Sequence, residues 1–236
     1  MDELNTIQKI AVMAPPFVLA VILHEVSHGW IAEKLGDPTA RNAGRLTLNP
    51  IPHIDLMGTI VMPLVLYFAT AGQFVIGSAK PVPINPYNFK NPKKDMALSS
   101  LAGPGVNLLM AISFAFLLRV VLPILQRSTP TALWEPMALP VALMLGSGVF
   151  INVALAVLNM IPIPPLDGSR ILYWLLPDKL AAAYYRLEPF GILIIIALLA
   201  FRILGAVILP IIIYLCYFLL GNDILIFIFG YLFKGQ

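Results

Sequence analysis

From Met137 to Ile161 the chain carries no charged residue, and from Met96 to Leu125 it carries only Arg119. A helix of about 20 apolar residues crosses a bilayer, and both runs exceed that. Water cannot solvate such surfaces, so a soluble globular fold is excluded. Composition agrees: 59% of the 236 residues are hydrophobic and 11% charged, where soluble domains carry about a quarter. Mean hydropathy is +0.88. The expected fold is an all-α polytopic membrane protein forming one domain, residues 1–236, without internal repeats.

Three core spans are expected, at about 7–35, 96–125 and 137–161, with helices at about 189–234 adding one or two more. The first span ends at Gly36-Asp37-Pro38, a helix stop, beside Lys34, Arg41 and Arg45. The region at about 43–71 reads differently. Gly44 to Asn49 alternates and then meets Pro50 and Pro52, which predicts a short membrane-associated β or extended segment. Residues 58–71 are apolar but short and contain Pro63, which predicts a re-entrant piece rather than a full span. The loop that follows carries Lys80, Lys90, Lys93 and Lys94, and basic loops face the cytoplasm. Residues 169–188 read as an interfacial amphipathic segment. The net charge of +3 therefore carries topology. No basic stripe is interleaved with aromatics, so no nucleic-acid partner is expected. The single cysteine, Cys216, reads as packing.

Chemistry enters with His24-Glu25-Val26-Ser27-His28. Residues four apart share a helix face, so both imidazoles point one way, and Glu25 sits beside them. This is the HExxH pattern of two zinc ligands and a general base. Two histidines satisfied by hydrogen bonds in a helix core would show the same spacing. Ionisable groups inside a span are costly, however, and a bound cation would compensate them. Catalytic zinc takes three protein ligands and water. The carboxylates available are Asp37, Asp55, Asp95 and Asp167, and the remaining histidine is His53. Asp167 stands out because it follows an apolar helix in the proline-rich Pro162–Gly168 stretch. Irregular backbone at membrane depth lines a cavity or is buried in protein. Asp167-Gly168 as a plain turn is the alternative.

HEVSH within an apolar helix, together with Asn159-Met160-Ile161-Pro162-Ile163-Pro164-Pro165-Leu166-Asp167-Gly168, resembles the two signatures of the site-2 protease family of intramembrane zinc metalloproteases. Gly44 to Asp55, Lys80-Pro81-Val82-Pro83 and Ala102-Gly103-Pro104-Gly105-Val106-Asn107 resemble its compact bacterial and archaeal branch. The resemblance covers most of the chain. It implies one zinc ion on His24, His28 and Asp167, Glu25 as catalytic base, and Asn159 bonding the substrate backbone or the oxyanion. It also implies cleavage within transmembrane segments of other membrane proteins. Some relatives carry a helix before the HExxH helix, or PDZ or CBS domains, and none of these is expected here.

The ligands must meet at one depth. If 58–71 crossed fully, the two motifs would end on opposite faces; if it does not, both lie nearer the cytoplasmic side of the cell membrane. His53 is a possible auxiliary ligand, more naturally a structural hydrogen-bonding group. Asn107 and Asn152 read as polar bridges between helices, with a substrate contact as the alternative for Asn107. A metal-ion transporter is the competing function, but a carrier needs no water-activating base such as Glu25. A third reading, an inactive helix-binding scaffold, sits poorly with a full ligand set. The sequence leaves substrate identity and oligomeric state open.

Overall fold

The computed structural model describes residues 4–61, 65, 68, 79–130 and 133–232. The long helices are α1 (Thr6–Lys34), α2 (Pro92–Ser128) and α3 (Leu139–Asn159). They are followed by α4 (Asp167–Leu175), α5 (Asp178–Tyr185), α6 (Gly191–Ala200), α7 (Ile203–Leu220) and α8 (Asn222–Leu232).

Local chemistry sets the ends of α1. At its start Asn5 and Gln8 form a capping box, each side chain accepting the other's backbone N–H at 2.9 Å, which satisfies two of the orphan donors of the first turn. At its end Gly36 adopts φ +111°. The Gly36 N–H donates to the Glu33 carbonyl at 3.0 Å and the Asp37 N–H to the Ala32 carbonyl at 2.9 Å. This is a Schellman stop, for which glycine's freedom at positive φ is suited. Pro92 opens α2 at a position where its missing N–H costs nothing.

α1, α2 and α3 pack on one another. Alanines and glycines let the backbones approach, as membrane helices require when no water drives them together: Ala20, Ala111, Ala115 and Ala142 are buried. Beyond the metal-ligand candidates lies an apolar core around Leu118, Leu143, Val149, Val153 and Ile228, with Cys216 inside it. Cys216 is thus packing, as expected.

Among the described residues, five helical stretches are long and apolar enough to cross a membrane: Thr6–Lys34, Pro92–Ser128, Pro136–Asn159, Asp178–Ala200 and Ile203–Leu220. The first three are helices at the positions read from sequence, about 7–35, 96–125 and 137–161. The C-terminal apolar region breaks at Arg202, which takes φ 58° between α6 and α7. The residues read as an interfacial segment, 169–188, fold as the helix pair α4 and α5, and α5 is also the start of the apolar stretch Asp178–Ala200.

The expected β segment is a correction. Among the described residues there is no strand. Residues 46–50 are bends and loop, Ile51–His53 is a 3-10 turn and Leu56–Val61 a π-helical turn. The physical reason is local capture of the backbone. The Asn49 N–H donates to Thr47 Oγ1 at 3.2 Å and the Ile51 N–H to Asn49 Oδ1 at 3.1 Å, while Pro50 and Pro52 have no N–H to offer a ladder. Of the predicted re-entrant piece, 62–64, 66–67 and 69–71 lie outside the described residues.

Candidate metal centre

α1 carries His24 and His28 one turn apart, and the face of α2 that meets them carries Ser99, Gly103 and Asn107, also at intervals of four. The imidazole Nε2 atoms of His24 and His28 are 3.1 Å apart. Asp167 Oδ2 lies 3.2 Å from the first and 3.3 Å from the second. The result is a nearly equilateral triangle of one oxygen and two nitrogens. Zinc ligand atoms about 2.0–2.1 Å from a common centre, at tetrahedral angles, are about 3.3–3.4 Å apart. The observed triangle has that size.

Protonation gives a second test of fit. The Nδ1 of His28 lies 2.7 Å from the Ser99 carbonyl oxygen, which can only accept, so Nδ1 carries the proton. The Nδ1 of His24 lies 2.6 Å from Asn107 Oδ1 and is likewise the donor. Both Nε2 atoms then present lone pairs to each other and to a carboxylate oxygen. Three facing acceptors without a proton repel unless a cation lies among them, so the donor set fits a metal ion. Both histidines are only 8% exposed, which makes bulk water a poor substitute. Space is reserved as well: a Cβ on Gly103 would come within 2.5 Å of His24 Cε1 and His28 Nε2.

Asp167 reaches the triangle through the turn that ends α3. The Ile163 N–H donates to the Ile161 carbonyl at 2.8 Å and the Leu166 N–H to the Ile163 carbonyl at 3.0 Å. α4 then begins at Asp167 itself. Gly168 is held so close to that turn that a Cβ would sit 2.2 Å from the Met160 carbonyl oxygen.

Glu25 is half-buried beside the triangle, and its Oε2 accepts the Val82 N–H at 2.8 Å. Val82 stands between Pro81 and Pro83, so its N–H is the donor this part of the loop can offer. The loop is braced from behind. The Lys80 N–H donates to the His53 carbonyl at 2.9 Å, and Arg45 Nη2 donates to the Lys80 carbonyl at 2.6 Å. His53 is thus a brace: its Nε2 donates to the Thr47 carbonyl at 2.9 Å, and it stands outside the cluster of His24, His28 and Asp167.

The other carboxylates have structural employment. Buried Asp37 accepts the Asn85 N–H and Asn88 Nδ2, each at 2.7 Å, as well as the Thr39 hydroxyl. Burial opposes its ionisation, but those bonds outweigh burial and hold its carboxyl below the usual range. Asp55 accepts the Gly58 N–H at 2.6 Å, and Asp95 accepts the Asn91 N–H at 2.9 Å. Asn159 donates from Nδ2 to the Leu155 carbonyl of its own helix at 3.0 Å. Ser99 escapes a reading of the sequence, although its spacing from Gly103 and Asn107 matches that of the histidines it faces. Besides holding Nδ1, it donates its hydroxyl to the His28 carbonyl at 2.9 Å.

Comparison with known proteins gives the same chemistry. The chain is 34% identical over 181 residues to a Bacillus subtilis protein named "Putative zinc metalloprotease YwhC", covering 77% of this chain and 76% of that one. It is 29% identical over 187 residues to "Putative zinc metalloprotease Rip2" of Mycolicibacterium smegmatis, covering 78% and 64%. With Rip2 of Mycobacterium tuberculosis the identity is 30% over 156 residues, covering 66% and 54%. No family model matches the sequence, and no solved structure matches it.

Proposed function

The chain belongs to the zinc metalloprotease family that includes YwhC, and on that premise we propose that it is an intramembrane endopeptidase, hydrolysing peptide bonds within or beside the transmembrane segments of other membrane proteins. One observation carries the reading: two motifs some 140 residues apart close into a triangle of zinc-ligand size, with a carboxylate beside it.

His24, His28 and Asp167 would hold one zinc ion, which when bound polarises a carbonyl and lowers the pKa of a bound water to about 7. Glu25 takes the proton from the attacking water and delivers it to the leaving amine. The Val82 N–H holds one carboxylate oxygen and leaves the other to do this. Asn159 is assigned to the substrate backbone or the oxyanion, which requires its amide to turn from the Leu155 carbonyl. The small faces of α1, α2 and α3 keep lipid out, while Glu25 is open enough for water to enter.

The same reading makes α1, α2 and α3 the core spans. Lys34 ends α1 six residues beyond His28, about 9 Å along the axis. Arg41, Arg45, Lys80 and Lys90 follow that end of α1, and Lys93 and Lys94 lie in the first turn of α2. On this reading the centre lies nearer the cytoplasmic face, with His28 about 9 Å and His24 about 15 Å from the end of α1. A metal-ion carrier is not favoured, because it gives Glu25 no task. The test is cleavage of single-span membrane proteins by the purified chain in proteoliposomes. Cleavage that a chelator abolishes and added zinc restores supports the reading. Cleavage indifferent to chelation refutes it.

A further inference from the structure

Behind His24 lies a chain of buried amides that the hydrolytic chemistry does not use. Asn107 and Asn152 are both fully buried, on α2 and α3. Asn107 Oδ1 faces His24 Nδ1 at 2.6 Å, while its Nδ2 donates to Asn152 Oδ1 at 2.8 Å and to the Ala20 carbonyl at 3.3 Å. Asn152 Nδ2 in turn donates to the Gly148 carbonyl, one turn back on α3, at 2.8 Å.

The order of donors and acceptors along this chain is forced. The Gly148 carbonyl can only accept, so Asn152 must turn its NH2 to it and its oxygen to Asn107. Asn107 must then turn its NH2 to Asn152 and its oxygen to His24. His24 must therefore carry its proton on Nδ1, leaving the Nε2 lone pair for the metal. Flipping either amide would set oxygen against oxygen in a buried site, a costly mismatch. His28 has no such dependence, since its Nδ1 is held by the main chain of Ser99.

We propose that Asn152 is a positioning residue for divalent-metal binding, acting through Asn107 to fix the orientation and tautomer of His24. The proposal rests on the metal-centre reading above. Outer partners of ligating histidines typically govern about 10- to 100-fold in metal affinity. Asn107→Leu should fall in that range, and Asn152→Leu, one bond further out, near its lower end, about tenfold.

The experiment measures zinc dissociation constants of the full chain in nanodiscs, by competition with a chromophoric chelator, without reference to activity. The double variant Asn107→Leu/Asn152→Leu should bind zinc no more weakly than Asn107→Leu alone, because Asn152 acts only through Asn107. Asn152→Asp, its carboxyl kept protonated by burial, retains an acceptor and a donor and should restore wild-type affinity. If Asn152→Leu does not fold, Asn152→Ser takes its place, since a hydroxyl bonds back to the Gly148 carbonyl but is too short to reach Asn107. A folded Asn152→Leu or Asn152→Ser with wild-type zinc affinity, or losses that add in the double variant, would overturn the proposal and leave the metal centre standing. A wild-type chain that binds no zinc would overturn both.

Discussion

His24 and His28 stand on an unbroken helix, whereas Asp167 stands just after a stretch that no helix can cross. On the helix arm the geometry is local: a four-residue spacing sets the two imidazoles, and α2 fixes their rings through Ser99 and Asn107. On the turn arm nothing local brings a carboxylate to the histidines. The delivery depends on where α3 ends, on the folded Met160–Leu166 turn, and on Gly168 lying against the Met160 carbonyl. The helix arm is thus precise by repetition and the turn arm by tertiary packing. The two arms should fail in different ways.

The largest effect expected is loss of a ligand from either arm. His28→Ala and Asp167→Ala should each weaken zinc binding by more than about 100-fold, beyond what outer partners typically govern, as read by chelator competition. Zinc affinity unchanged in Asp167→Ala would demote the turn arm to a structural turn. Next comes Gly168→Ala. The obstacle to its Cβ is main chain 2.2 Å away, so the cost should approach about 3 kcal/mol, seen as a lower midpoint of thermal unfolding. Gly103→Ala probes the helix arm. Its obstacle is imidazole 2.5 Å away, which can tilt, so the stability cost should be smaller, about 1–2 kcal/mol, but zinc binding should fall with it. If Gly168→Ala left stability intact while Gly103→Ala unfolded the chain, the contrast between the arms would be reversed.

The smallest effect concerns the loop that brings Val82 to Glu25. The folded-state pKa of Asp37 lies below its unfolded value, which is about 3.9. Its contribution is therefore fully present above about pH 4 and is lost as the pH falls through the lower folded value. Hydrogen exchange at the Asn85 amide should be equally slow at pH 5 and 7 once corrected for intrinsic rates. It should quicken only below the unfolded value. Asp37→Asn should cost about 1 kcal/mol and remove that pH dependence.

The contrast between the arms also explains what the sequence discloses. The HExxH spacing makes the helix arm readable at once, and runs of apolar residues place α1, α2 and α3 to within a few residues. Asp167 was recognisable because a carboxylate follows an apolar helix in a proline-rich break. The support of both histidines was written in Ser99, Gly103 and Asn107, but the spacing gains meaning only when α2 is known to face α1. The bond from Val82 to Glu25 spans 57 positions and leaves no periodic trace. The alternation at Gly44–Asn49 misled, because periodicity says nothing of side chains such as Thr47 and Asn49 that capture the backbone first. His53, read more naturally as a structural hydrogen-bonding group than as a ligand, gives its Nε2 to the Thr47 carbonyl.

The central claim is that Glu25 does chemistry while His24, His28 and Asp167 hold the metal. Glu25→Gln separates the two roles, since glutamine can still accept the Val82 N–H but cannot take a proton from water. The purified variant should bind one zinc per chain with near wild-type affinity, while cleavage of a single-span substrate falls by about 100- to 10,000-fold. Proteolysis at the wild-type rate, with zinc still bound, would contradict the account.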